Sequence, residues 1–440
     1  MFWKKKPKED KNAAPPKSPE PPPARAQSPA AARAPEPPRA PPAQPAPSSA
    51  RPQPSGPAGD LRGQLVAALA RSAGPQSAPM TTEAFDAQKR ALDMLIGDAS
   101  LQGVVRDLAG GQTDAAFAAL ERFASGARSA DAWRNTGALI YGVDGVRARK
   151  AYEQAFALEP RHFWGAVFLA RLRALTQDLN GANDAAAAAI MAGQTPDERG
   201  IGFFEAAMIA MGRGDVQSAL THGAQAVQAS RESIRAGARE ALAVRDFVAR
   251  LTLLADANVM RKDFAAAQPL YAEALSGARQ LAAAAGPGAG VERGIAELLE
   301  KSASVAASAP DYEYAIRYAE EAVAVRREIL RSDREAGAQS GLASALNSLG
   351  EVRRQAGLND AAKVALKEAL DNARAAFSRN KADTGAQRDV WLSQWRLASI
   401  DGSGVSWREV AETMERVVAL GGLNPNHQHF LEEARRRAAA

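Results

Sequence analysis

The stretch LNSLGEVRRQAGLNDAAKVALKEAL, residues 346–370, is matched in frame by VARLTLLADANVMRKDFAAAQPLYAEAL, residues 248–275. Ala255 stands where Gly350 does, Lys262–Asp263–Phe264 where Gly357–Leu358–Asn359 do, and Ala267, Tyr271 and Ala274 where Ala362, Leu366 and Ala369 do. The same frame fits Ala207, Gly214–Asp215, Ala219 and Ala226, and again Ala303, Ala315, Ala319 and Ala322. It also fits Trp133, Gly137, Ala148, Tyr152, Ala155 and Pro160, with a turn one residue shorter. A motif copied along a chain constrains the fold more than any bulk property does. Each copy is one supersecondary unit that meets chiefly its neighbours.

The unit is a helical hairpin. Apolar residues recur with the 3.6-residue period, β-branched runs are few, and no segment reads as a strand. Glycine inside a helix costs roughly 1 kcal/mol against alanine, so Gly350 needs a reason, and close approach of the second helix supplies it. Gly357 permits the left-handed residue that ends the first helix. Ala362 and Ala369 share one stripe of the second helix and admit the next hairpin. One such hairpin cannot cover its own apolar face, so the units must stack into a solenoid. The fold class is all-α. Helix starts are marked at Thr195–Pro196–Asp197–Glu198, at Ser406–Trp407–Arg408–Glu409 and at Thr384 with Gln387.

Spacing divides the array. Anchored on Phe123, Ala155, Ala189, Ala226, Ala274, Ala322, Ala369 and Val417, the copies fall 32 to 37 residues apart up to Ala226 and 47 or 48 apart beyond it. The expected organisation is a tail over 1–60, a short helical lead-in over 61–99, short units over 100–230, long units over 231–425 and a capping helix over 426–440. Within it, AAAAGPGAGVERG reads as a long connection.

The pattern Trp, Leu-Gly and Tyr on one helix, then Ala, aromatic, Ala and Pro on the next, resembles the tetratricopeptide repeat family. The longer copies are similar to those of kinesin-light-chain-like and many bacterial members. The resemblance implies a right-handed α-solenoid whose close-packed positions are Gly137, Ala155, Ala207, Ala226, Ala255, Ala274, Ala322, Gly350 and Ala369. It also implies a concave groove lined by the first helices. Carried onto this sequence, groove positions include Arg134, Tyr141, Arg171, Phe204, Asp256, Asn347, Glu351, Arg354 and Trp395, with Met208, Thr252 and Glu300 beside them. The Lys/Asn/Arg clamp by which some members hold a C-terminal carboxylate is missing from these positions.

Charge and chemistry then narrow the function. Residues 1–60 carry eighteen of the 26 prolines and a net charge of +5, from six Lys and four Arg against five acids. The other 380 residues balance at 45 basic and 45 acidic side chains, which argues against a nucleic-acid face. Without periodic apolar residues the tail reads as a disordered, Pro/Ala-rich spacer. Its Pro-x-x-Pro spacings offer an alternative role in recognition. Phe2 and Trp3 beside Lys4, Lys5, Lys6, Lys8 and Lys11 offer a second alternative, a weak contact with an anionic membrane. A basic start followed by proline and charge does not read as a secretory signal, and no transmembrane run occurs. The expected location is the cytoplasm or the inner face of a membrane.

Cysteine is absent from the sequence, which excludes disulfides and thiol chemistry. His427 and His429 lack a third ligand, His162 and His222 stand alone, and the glycine-rich stretches match no phosphate-binding fingerprint. No nucleophile is paired with a base. No cofactor or metal is therefore expected. The sequence reads as a non-catalytic scaffold or adaptor that binds a peptide or protein partner, with a peripheral membrane tether as the alternative. Trp391, Trp395 and Trp407 fill the terminal core or, alternatively, present an aromatic patch.

Overall fold

A computed structural model describes residues 61–237, 241–285, 289–333, 336–421 and 423–439. The tail over 1–60, with the spacer and membrane-contact roles read from it, lies outside the described residues. Two lead helices, α1 (Leu61–Arg71) and α2 (Thr82–Gly97), come first. Hairpins then pair α3 (Gln102–Ala109) with α4 (Thr113–Ala127), α5 (Ala130–Ile140) with α6 (Gly145–Leu158), and α7 (Phe163–Leu175) with α8 (Leu179–Ala192). They continue as α9 (Pro196–Gly212) with α10 (Val216–Arg235), and α11 (Ala241–Met260) with α12 (Phe264–Ala285). The last three pair α13 (Ala289–Ser308) with α14 (Tyr312–Ser332), α15 (Ala336–Gln355) with α16 (Asn359–Arg379), and α17 (Thr384–Ala398) with α18 (Trp407–Ala419). Helix α19 (Gln428–Ala439) closes the array. Among the described residues there is no strand.

Each first helix (A) packs on its own second helix (B), and each B helix packs on the next A helix. The chain is therefore an all-α solenoid of tetratricopeptide-type hairpins. Neighbouring A helices also touch directly, α7 with α9, α9 with α11, α13 with α15 and α15 with α17, whereas among the described residues no two B helices come comparably close. A stack whose A layer is the tighter one curves with the A helices inside.

The turns show why the sequence repeats as it does. Gly111, Gln177, Gly214, Lys262 and Gly357 all adopt left-handed φ values, between 62° and 78°. In each turn the following N–H donates to the carbonyl five residues back, as from Asp215 to Ala210 at 2.9 Å and from Leu358 to Arg353 at 2.8 Å, the closure that satisfies a helix C-terminus. The residue after the left-handed one is Asp178, Asp215 or Asp263 in three cases, and its carboxylate accepts from the N–H three residues on at 3.0–3.1 Å. Such a cap contributes about 1 kcal/mol.

Close packing is as tight as the glycines imply. A Cβ on Gly350 would stand 2.5 Å from the Leu366 side chain, and one on Gly137 would stand 2.7 Å from the Tyr152 ring. Ala155, Ala207, Ala226, Ala255, Ala274, Ala322 and Ala369 are all buried at these crossings.

Four local expectations meet the structure here, two of them corrected. The Thr195 capping box forms in full, and Ser406 caps through the N–H of Glu409. At the start of α17 the cap is Asp383 rather than Thr384, because a carboxylate one residue earlier reaches the N–H of Ala386 at 3.0 Å. AAAAGPGAGVERG is not a long connection. Helix α12 runs to Ala285 and α13 starts at Ala289, so only 286–288 lie outside described residues.

Gly350→Ala is expected to destabilise the array by about 1–3 kcal/mol, since Leu366 must leave its rotamer. Gly294→Ala, inside α13 with nothing within 4 Å of the added methyl, is expected to stabilise by roughly 0.5–1 kcal/mol. Urea unfolding followed by circular dichroism measures both.

Candidate docking surface on the A helices

Helix α2 is not an extra hairpin. It lies against α5, with Ala84, Ala91, Leu92 and Leu95 buried in one core with Leu139, Tyr141 and Phe168. Its start overhangs the A layer beyond α5. Thr81 Oγ1 accepts from Arg171 of α7 at 3.2 Å, and the Glu83 carboxylate lies 3.9 Å from both Arg171 and Arg245 of α11. The preceding loop is pinned by Ala78 N–H to Tyr141 O at 3.1 Å and Gly145 N–H to Gln76 O at 2.9 Å.

From that overhang an open trough runs over α7, α9, α11 and α13. An apolar part of it, about 580 Å³, lies between α7 and α9 and is lined by Pro79, Ala174, Leu175, Phe204, Met208 and Ile209 among others. Leu175 and Met208 are 40% and 48% exposed there. Phe204 and Met208 also line the adjoining part, about 400 Å³, which reaches Thr252, Asp256, Glu297 and Lys301.

Most charges along the trough are paired with each other. Arg171 bonds Glu205 at 2.7 Å, Lys301 bonds Asp256 at 2.6 Å, and Arg250, buried, bonds Asp197 at 3.2 Å. Burial opposes the Glu83 charge, but hydrogen bonds from Thr81 and its own backbone, with Arg171 and Arg245 nearby, hold its pKa below the ordinary value. Burial pushes Asp246 up despite Arg245 and Arg250. Burial likewise pushes the Tyr141 hydroxyl up to about 12.

The sequence-derived groove residues therefore separate into four places. Tyr141, Arg171, Phe204 and Asp256 come together along the trough, with Tyr141 buried in its floor and touching Phe168 edge-on at 5.4 Å. Arg134 sits beneath α2, paired with Asp131 at 2.5 Å and Glu159 at 2.7 Å. Asn347, Glu351 and Arg354 form a second cluster with α17. Ser393 Oγ donates to Asn347 Oδ1 at 2.9 Å, Arg396 Nη1 donates to Asn347 O at 2.8 Å, and Arg354 pairs with Glu351 at 2.7 Å. Asn347 is only 1% exposed, so it is a core hydrogen-bonding residue and not a groove contact. Burial opposes the Glu351 charge, but Arg354 and Arg396 hold its pKa low.

Trp395 turns away into the terminal core. It meets Trp407 at 4.8 Å and Phe430 of α19 at 4.9 Å, both edge-on, while Trp391 is buried beside Phe430. Sequence reasoning missed Thr81, Glu83, Arg245, Glu205 and Leu175, which shape the trough. The only local signal was Thr81, a cap candidate just before α2 whose hydroxyl accepts from the N–H of Ala84.

Among the described residues no group of three or more His, Asp or Glu is placed to hold a metal, and no helix is long and apolar enough to cross a membrane. The fold and the layered A and B helices define a tetratricopeptide-type repeat protein. No protein-family model matches the sequence, and no curated protein does. Among solved structures the chain is similar to BtubC (BKLC) from P. vanneervenii, at 22% identity over 59% of this chain and 92% of that one, with a TM-score of 0.42. It is also similar to a putative kinesin light chain from Podosopora anserina with nearly identical TPR-like repeats, at 15% identity over 51% and 99%, TM-score 0.40. The apo form of RapI aligns at 11% identity over 63% and 96%, TM-score 0.45.

Arg171→Met is expected to lower stability by about 3 kcal/mol, because Glu205 would be left buried without its cation. Arg171→Met with Glu205→Met should recover most of that loss. Thermal unfolding of the two variants and the parent protein, with hydrogen exchange in α7 and α9, reads the effect. Equal losses in the single and double variants would show that the pair is not what matters.

Proposed function

We propose that this protein is a non-catalytic scaffold or adaptor that binds a peptide or protein partner on the inner, A-helix face of its solenoid. The observation that supports this most directly is that the face already holds a helix. Helix α2 buries Ala84, Ala91, Leu92 and Leu95 in a core it shares with α5 and α7. A partner segment would use the same physics further along, where the trough leaves Leu175 and Met208 two-fifths or more exposed. Apolar cover supplies the affinity, and the paired side chains at the rim set orientation. The B layer offers exposed apolar residues singly, such as Val364 at 67% and Met191 at 84%, and single exposed apolar residues are ordinary surface.

The test places a photo-crosslinking benzoylphenylalanine at Thr252, in the trough, or at Val364, on a B helix, in cells that make the protein natively. Adducts with a protein partner are expected from Thr252 and not from Val364. Adducts from Val364 alone would move the binding face to the other side and overturn the proposal.

A further inference from the structure

One charge in the trough has no counterpart. Glu83, Arg171, Glu205, Arg245, Asp246, Arg250, Asp256 and Lys301 all make ion pairs within the wall or beside it. The Glu297 side chain makes no hydrogen bond or ion pair within the described residues, and it is exposed and lines the part of the trough between α11 and α13. It sits on the same continuous surface as the apolar pocket between α7 and α9, since Phe204 and Met208 line both parts. The trough is also continuous with the dock of α2, through Thr81, Arg171 and Phe204.

We infer that the partner is a protein segment that places one large apolar side chain in the α7–α9 pocket and a lysine or arginine on Glu297. This rests on the reading of the A face as the docking surface and specifies its chemistry. The apolar residue fits because the walls there are Pro79, Ala174, Leu175, Met208 and Ile209, with Arg171 and Glu205 already satisfied by each other. An acidic residue at the far end would face Glu297, and the nearby cation Lys301 is already committed to Asp256. A basic residue completes a pair that the wall leaves half made. Like-charge contact at an interface is penalised more strongly than a rim pair is rewarded, so this position discriminates between partners more than it tightens them.

The experiment pans a random-peptide phage library on the full chain and measures the enriched peptides by fluorescence anisotropy. Enriched peptides are expected to share an aliphatic or aromatic residue and a nearby Lys or Arg. Met208→Glu should weaken binding about tenfold or more. Glu297→Lys should weaken it about three- to tenfold, and exchanging the peptide's basic residue for Glu should restore binding to that variant alone. This reciprocal rescue cannot arise from misfolding. No enrichment, acidic consensus peptides, or affinities unmoved by both substitutions would overturn the inference. Peptides that ignore both substitutions but crosslink at Thr252 would overturn it while leaving the A-face reading intact.

Discussion

Everything in this molecule depends on how closely two helices can approach at a residue with no side chain, or only a methyl group. At the α15–α16 crossing the methyl that any other residue would carry has 2.5 Å in which to sit beside Leu366, and at α5–α6 it has 2.7 Å beside Tyr152. That approach brings B helices onto their own A helices and onto the next hairpin together, so no hairpin has a complete core until its neighbours arrive. The left-handed residue and the aspartate after it work to the same end. They stop the A helix sharply and start the B helix with its first N–H groups satisfied, which fixes the angle at which the pair can close. Apolar bulk is thus less important here than the places where bulk is missing.

The tight approach also explains where the charges go. An array rich in alanine has thin cover over its polar backbone, and long arginines reach across it to carboxylates on other elements. Arg147 bonds Glu121 of the preceding B helix, Arg326 bonds Glu300, and Arg171 bonds Glu205. Arginine suits this because its planar fork makes paired, oriented bonds while its stem packs against apolar surface. The neutral balance of 45 basic against 45 acidic residues outside the tail is the compositional trace of that cross-bracing. It leaves little free charge on the inner face. Glu297 stands out for that reason.

The hairpins, their turns and their stacking were legible because each is a local signal repeated many times. Gly357 ends α15 by taking a left-handed φ, Asp215 or Asp263 after a left-handed residue caps the next helix, and alanine at seven-residue spacing admits a neighbour. The candidate site was legible only in part. Arg171, Phe204 and Asp256 belong to the trough because they occupy inner-face positions on A helices, within about one turn of one another in the repeat frame. Asn347 occupies such a position too, but it is buried against Ser393 and Arg396 of α17, a contact made by residues 46 and 49 positions away. No repeat pattern encodes that pairing. The docking of α2 was invisible for the same reason: its amphipathic pattern says that one face is covered, and the pattern is silent on what covers it.

The helix lengths bear on what such a surface can hold. The A helices grow from 11 residues in α5 to 13 in α7, 17 in α9 and 20 in α11, α13 and α15. At about 1.5 Å per residue, the inner face widens from roughly 16 Å at α5 to roughly 30 Å at α11, α13 and α15, before α17 falls back to 15 residues. A single helix such as α2, about 10 Å across with its side chains, covers most of the narrow end. The same helix laid on the wide end would leave about two-thirds of each A helix bare. The trough lies beyond the contact of α2 with α5, over α7, α9, α11 and α13, and Leu175 and Met208 stand exposed in it. A lengthened repeat therefore leaves an inner face wider than one helix of this chain spans.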